Sequence, residues 1–309
     1  MLFSTIPGLD EVKQKIIQAV RNNHLAHALL FHGPEGSANL KMALALATYL
    51  HCEQPHENDS CGTCPSCQRM AKLIHPDMNY AYPMPGKSKD DEDPDKEKKV
   101  DYTASFRDFT LTEPYGNISD WIHKNSFEKK QLNISRSAGR QIIKTLSLKS
   151  FEGGYKIMLI WAPEFLHITT ANSLLKILEE PPEKTVFLLV TSQPEQLLTT
   201  ILSRTQKIMI RAFSDQEIMD HLFNEGFCSR EAASQIAPLA DGNMREAYKM
   251  IDQVGDENTV MIRDWLRACY SIQINEILSF VELFQGKDKE AQKSFLLSGM
   301  NVLREVMLD

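Results

Sequence analysis

No apolar run in the sequence comes near the ~20 residues that span a bilayer, which excludes a transmembrane helix. The N-terminus, MLFSTIPGLDEVKQ, lacks a basic stretch followed by an apolar one, so no secretory signal is expected. Positive charge is not in excess. Against 41 Asp and Glu stand 34 Lys and Arg, a net charge of −7, so the chain as a whole is not marked as a nucleic-acid binder, although a local basic patch is compatible with that balance. Cysteine is sparse, six in 309 residues. Without an export signal the expected setting is the reducing cytoplasm, where cysteines serve as thiols or metal ligands rather than as a disulfide framework. What remains is a chain that is 42% hydrophobic and long enough for two or three domains, each with its own core.

The periodicities place those domains. LDEVKQKIIQAV puts Leu9, Val12, Ile16 and Val20 on one helical stripe. AHALLF (26–31) reads as a buried strand and LKMALALATYL as the helix after it. ISRSAGRQIIKTLSLKS (134–150) reads as a helix, YKIMLIW (155–161) as a strand, and TTANSLLKILEE (169–180) as a helix stopped by Pro181-Pro182. TVFLLV (185–190) is a strand, PEQLLTTILSR a helix and QKIMI (206–210) a strand. Continuous apolar strands alternating with helices predict an α/β fold with a parallel sheet covered on both faces. The expected organisation is an α/β domain over 1–211, carrying a cysteine module at 52–67 and a charged insertion at about 78–130. The core of that insertion, GKSKDDEDPDKEKK (86–99), reads as exposed. A small helical lid domain is expected over 212–255, opened by the capping box SDQE (214–217), then a C-terminal helical domain over 256–309 that reads as incomplete.

Residues 33–41, GPEGSANLK, sit between strand and helix, where a phosphate-binding loop would. A P-loop reads G-x-x-x-x-G-K-[S/T]. Aligned on Gly33, with Gly36 completing a GP-x-G frame, the chain has Ala38 for the second glycine, Asn39 for the lysine and Leu40 for the magnesium-binding hydroxyl. Lys41 comes two places late, turned by ~200° on a helix. The acidic pair expected at the end of strand KIMLI is replaced by Trp161-Ala162, with Glu164 three residues on. ATP is therefore not expected to bind productively, and no intrinsic ATPase is expected. The GP-x-G frame alone also fits an ordinary strand–helix turn.

Cys52, Cys61, Cys64 and Cys67 form C-x8-C-x2-C-x2-C. That spacing suits one structural Zn2+ per chain; an iron–sulfur cluster and free thiols are the alternatives. Cys228 and Cys269 read as buried small hydrophobes.

Taken in order, the GP-x-G loop, the cysteine module, HPD (75–77), NSLLKILEEPP (172–182) and LSRTQ (202–206) resemble the bacterial clamp loader, an AAA+ family that includes the gamma/tau and delta-prime subunits of the DNA polymerase III holoenzyme. The resemblance covers roughly residues 6–255. It implies an AAA+ P-loop-type sheet domain with a zinc module, a helical lid and the start of an all-α collar. Gamma/tau subunits keep an intact P-loop; delta-prime subunits have degenerate sites, and this chain is similar to the latter. The resemblance makes Arg204, in Ser203-Arg204-Thr205, an arginine finger reaching a neighbour's ATP, with Thr replacing the family's Cys. It makes Thr191 a sensor 1 position, and Arg245, in Gly242-Asn-Met-Arg, a sensor 2 position; with the phosphate loop degraded, the expected role of Arg245 here is helix packing or surface charge. The implied partners are the gamma/tau and delta subunits, with the sliding clamp and primed DNA met through the complex. Arg136, Arg140, Lys144 and Lys149 offer a basic face for phosphates. The function implied is a non-hydrolysing delta-prime-like subunit. An active gamma/tau-like ATPase with an unorthodox P-loop, or a zinc-dependent scaffold protein, are the alternatives.

Overall fold

The computed structural model describes residues 1–86, 102–254 and 257–286, with 289, 292, 295, 296, 299 and 300. Apart from Gly86, the charged stretch at 86–99 lies outside the described residues. The chain divides into two compact units, Met1–Glu217 with Gly242–Arg245, and Ile218–Asp241 with Glu246–Asp309.

The first unit is built on a five-stranded parallel sheet. Its strands are β1 (Ala28–His32), β2 (Met78–Ala81), β5 (Lys156–Trp161), β6 (Thr185–Thr191) and β7 (Gln206–Met209), in the order β2-β5-β6-β1-β7. β5 and β6 are buried from end to end, which is why their sequences are apolar without alternation. Helices α1 (Asp10–Arg21), α2 (Asn39–His51), α6 (Arg136–Ser147) and α7 (Ile168–Glu179) belong to this unit. α2 is buried on every side, so its apolar residues show no stripe. α6 and α7 bury Ile142, Leu146, Ala171, Leu174 and Leu178 with Met158, Ile160, Phe187 and Leu189 of the sheet in one core.

Two features differ from the sequence reading and one adds to it. PEQLLTTILSR is not one helix. A 3-10 turn at Pro194–Gln196 is followed by extended backbone at Leu197 and Leu198, and only then by α8 (Thr199–Leu202). The break turns Leu197 into the core. The described flanks of the insertion are folded: between the short antiparallel strands β3 (Met84–Pro85) and β4 (Leu132–Asn133) lie helices α4 (Thr103–Thr112) and α5 (Ile118–Lys124). Cys269 is exposed and Cys228 half-buried, so neither is a core residue.

Ser214 and Glu217 form the capping box at the start of α9 (Asp215–Asn224), with Glu217 N donating to Ser214 Oγ at 3.2 Å and Ser214 N to the Glu217 carboxylate at 2.8 Å. The second unit contains the rest of α9, α10 (Arg230–Leu239), most of α11 (Met244–Val254), α12 (Glu257–Tyr270) and α13 (Ile274–Gln285). His221 and Tyr248 share a hydrogen bond of 2.8 Å within it. No helix among the described residues is long and apolar enough to cross a membrane.

Candidate functional site

The C-terminal ends of β1, β5 and β6 are neighbours in the sheet, and the loop at 33–38 leaves β1 directly into α2. In parallel α/β sheets this edge is where ligands bind. The two glycines of the loop serve packing. A Cβ on Gly33 would lie 1.9 Å from the Ile210 carbonyl oxygen. Gly36 has φ +70°, its carbonyl accepts from Met244 N at 3.1 Å, and a Cβ there would strike the Asn243 side chain. Asn39, at the lysine position, donates from Nδ2 to the carbonyls of Gly33 (3.1 Å) and Thr191 (3.5 Å), tying the loop to the end of β6. Leu40 is buried. Lys41 turns elsewhere, donating to the Thr5 carbonyl at 3.2 Å and standing 4.8 Å over the Tyr115 ring.

Across the cavity, Trp161 ends β5 at the place of the expected acidic pair. Its ring lies 5.8 and 5.4 Å from Phe106 and Phe109 of α4 and 6.5 Å from Trp121 of α5. Glu164 accepts from Thr191 Oγ1 at 2.8 Å, and burial pushes its carboxyl above the usual range. Pro114, Tyr115, Gly116, Asn117 and Ile118 supply the remaining wall. The space left is about 50 Å³. That holds a water or two, against the ~300–1,000 Å³ of small-molecule sites.

This wall is strapped down. Asn117 and Asp120 cap α5 reciprocally, and Asn117 Nδ2 donates to Glu35 at 2.9 Å. Arg245 grips the same Asp120 through Nε and Nη2, the latter at 2.6 Å from Oδ1. Sequence reasoning missed the strap, although Tyr102, Phe106, Phe109, Tyr115, Trp121 and Phe127 are more aromatic residues than a solvated loop carries. Arg245→Ala is expected to cost about 2 kcal/mol, because a poorly exposed carboxylate loses a charged, two-pronged partner. Denaturant unfolding measures it, and hydrogen exchange should show 113–124 opening first. Unchanged stability would mean that this ion pair does not hold the strap.

The four clustered cysteines could hold a metal ion. The Sγ atoms of Cys52, Cys61, Cys64 and Cys67 all lie within 4.8 Å of one another, and Cys61 and Cys67 are 3.9 Å apart. A tetrahedron with ~2.3 Å metal–sulfur bonds needs ~3.8 Å between sulfurs, so the donor set fits a closed zinc site. Backbone N–H groups of Cys61, Cys64 and Cys67 point at the sulfurs of Cys52, Cys61 and Cys64 at 3.3, 3.3 and 3.4 Å. The amide of Cys64 is the main reason the Cys61 thiol is lowered to about 6. Burial pushes the Cys52 and Cys67 thiols the other way. Around the module, Arg69 of α3 (Pro65–Ala71) meets Glu152 at 2.6 Å, His75 meets Glu152 at 3.1 Å, and Asp77 accepts from the amides of Phe151 and Glu152. The HPD motif thus fastens the module beside the loop that enters β5.

Arg204 follows α8 and is partly exposed, its guanidinium against Glu179. Arg136, Arg140, Lys144 and Lys149 are all exposed, on α6 or just past its end. None of the four makes an ion pair among the described residues. The structure thus gathers Gly36, Asn39, Leu40 and Thr191 at one cavity, with Gly33 beside it as the acceptor of Asn39, and uses Arg245 to hold a wall of it. The cysteines and Arg204 do not line that cavity.

A family described as DNA polymerase III, delta subunit, matches residues 8–214. The chain is 25% identical to the DNA polymerase III subunit tau of Escherichia coli over 256 residues, 81% of this chain and 32% of that one. It is 27% identical to the delta' subunit of the same organism over 77% of this chain and 58% of that one. With the delta' subunit of Yersinia pestis it shares 33% identity over 64% of this chain and 45% of the relative. The chain therefore spans about a third to just over half of the length of these relatives.

Proposed function

Because the chain belongs to the DNA polymerase III delta-subunit family, as a clamp-loader subunit of the delta-prime kind, we propose that it is a non-hydrolysing member of a clamp-loading complex that acts in DNA replication. The observation that carries this reading is the cavity: it has Asn39 and Leu40 where a P-loop has lysine and the magnesium-binding hydroxyl, Trp161 where the acidic pair would stand, and a mouth walled by residues 114–118. A nucleotide finds there neither room nor charge to neutralise its phosphates. The frame of the loop is retained because Gly33, Gly36 and Asn39 knit β1, β6 and the Asn243–Met244 turn together.

Arg204 would then act outside its own chain. A guanidinium presented to a neighbouring ATP stabilises charge on the transferring phosphoryl group. The neighbours in this reading are gamma/tau-like subunits with an intact P-loop and a delta-like subunit, and the complex would place a sliding clamp on primed DNA. The α6 face, with Arg136, Arg140, Lys144 and Lys149, would meet backbone phosphates of that DNA, a contact that weakens steeply with salt. Residues 212–255 would serve as the lid and 256–309 as the collar segment. Cys52, Cys61, Cys64 and Cys67 would hold one Zn2+, which supplies cross-linking rather than chemistry.

Calorimetric titration of the chain with Mg-ATP, followed by reconstitution with a P-loop-bearing companion, tests the reading. The expected results are no heat of binding up to millimolar nucleotide, and faster ATP turnover by the companion when the chain is present. Micromolar Mg-dependent binding to the chain alone would favour an ATPase of its own and overturn the proposal.

A further inference from the structure

The guanidinium of Arg204 is not loose. Nε donates to Glu179 Oε1 at 2.7 Å and Nη2 contacts the same oxygen, while Nη1 donates to the Thr200 carbonyl at 2.9 Å and to Ser203 Oγ at 3.2 Å. Three of its nitrogens are thus engaged from two sides, by α8 beneath and by the end of α7 across. Glu179 is the last residue of α7. A carboxylate there faces the negative end of the helix dipole, where a cation would be the favourable choice. Its presence is unhelpful to α7 but well placed for Arg204. The end of α7 is itself fixed, since Glu180 N closes on the Lys176 carbonyl and Pro181-Pro182 stop the helix.

We propose that Glu179 is a positioning residue for Arg204, holding its guanidinium pre-aimed for a neighbour's triphosphate. The inference rests on the finger reading given above and adds a second residue to it. An arginine free to sample its rotamers has to be ordered each time the phosphate charge develops, whereas one held by its Nε edge has already lost that freedom. The pair is half-exposed, with side-chain exposures of 30% for Arg204 and 49% for Glu179, so it adds little to fold stability and its role can be tested without unfolding the chain.

The experiment measures steady-state ATP turnover by a P-loop-bearing companion reconstituted with full-length chain. Glu179→Ala is expected to lower kcat about tenfold, the size of ordering one rotamer-rich side chain, with KM for ATP unchanged. Glu179→Gln, which keeps an oxygen acceptor, should keep most of the rate. In an Arg204→Ala background Glu179→Ala should change nothing further, a coupling that a merely structural role would not produce. If Arg204→Ala lowers turnover but Glu179→Ala leaves or raises it, the positioning role is wrong and the finger stands. If Arg204→Ala itself has no effect, both fall.

Discussion

Arg204→Ala is expected to reduce ATP turnover of the assembled loader by about 10³-fold or more while leaving the chain folded and able to assemble. The size follows from the reaction. Phosphoryl transfer gains its rate from charge stabilisation, and an arginine supplied in trans is worth ~10³–10⁵ in the best-studied cases. Folding should be spared because the side chain is partly exposed and its ion pair with Glu179 is of the surface kind worth about 0–1 kcal/mol. Arg204→Lys should not rescue, since a single ammonium cannot reproduce a planar fork held at once by Glu179, the Thr200 carbonyl and Ser203. Turnover, thermal melting and sedimentation of the complex together decide the matter. Full activity in a correctly assembled alanine variant would remove the role in trans.

Cys64→Ser should take zinc content from about one per chain to near none and open residues 52–71 to hydrogen exchange while the sheet stays protected. The substitution separates two roles of Cys64. Its Sγ is a candidate ligand, and it also caps α3 by accepting from Cys67 N. Serine is among the best N-caps, so the helix start survives and the loss reports the metal. Structural zinc contributes about 10–16 kcal/mol of apparent binding free energy in small zinc-finger peptides, which is folding free energy for a segment with so little core. Loss stays local because Asp59, accepting from the amides of Phe3 and Ser4, and the Arg69–Glu152 pair still tether the module. Chelation of the unsubstituted chain should give the same exchange pattern. Metal analysis of protein purified under reducing, chelator-free conditions that finds no zinc, with 52–71 still protected, would defeat the assignment, and visible absorption would point to iron–sulfur instead.

The middle of the sheet was legible because β1, β5 and β6 are buried on both faces and therefore read as unbroken apolar runs. ALLFH, KIMLIW and TVFLLVT fall within a residue or two of their expected bounds. The departures from a P-loop and its acidic pair were legible too, since they are residue identities at Asn39, Leu40 and Trp161. What fills the cavity was not. α4 carries Phe106 and Phe109 without a sustained period, and α5 is a single capped element of seven residues. Their meaning lies in Trp161, far along the chain, and no local pattern announces a contact of that range. α8 was overread because LLTTIL has helical spacing, while the structure spends Leu197 on the core in extended backbone. Arg245 could be placed in its motif but not matched with Asp120, which is 125 residues away.

Trp161 has a structural consequence. At the strand end where a P-loop nucleotide site keeps an acid for magnesium, the indole is a keystone under the rings of Phe106, Phe109 and Trp121. Putting lysine at position 39 and threonine at 40 would restore the lettering of the loop and nothing else. Reinstating an aspartate at 161 would withdraw the keystone, at about 3–5 kcal/mol for a buried tryptophan and more for the charge left behind. That is a large share of what holds any domain together. An acid at position 161 is thus incompatible with the aromatic vault that α4 and α5 raise over the end of β5.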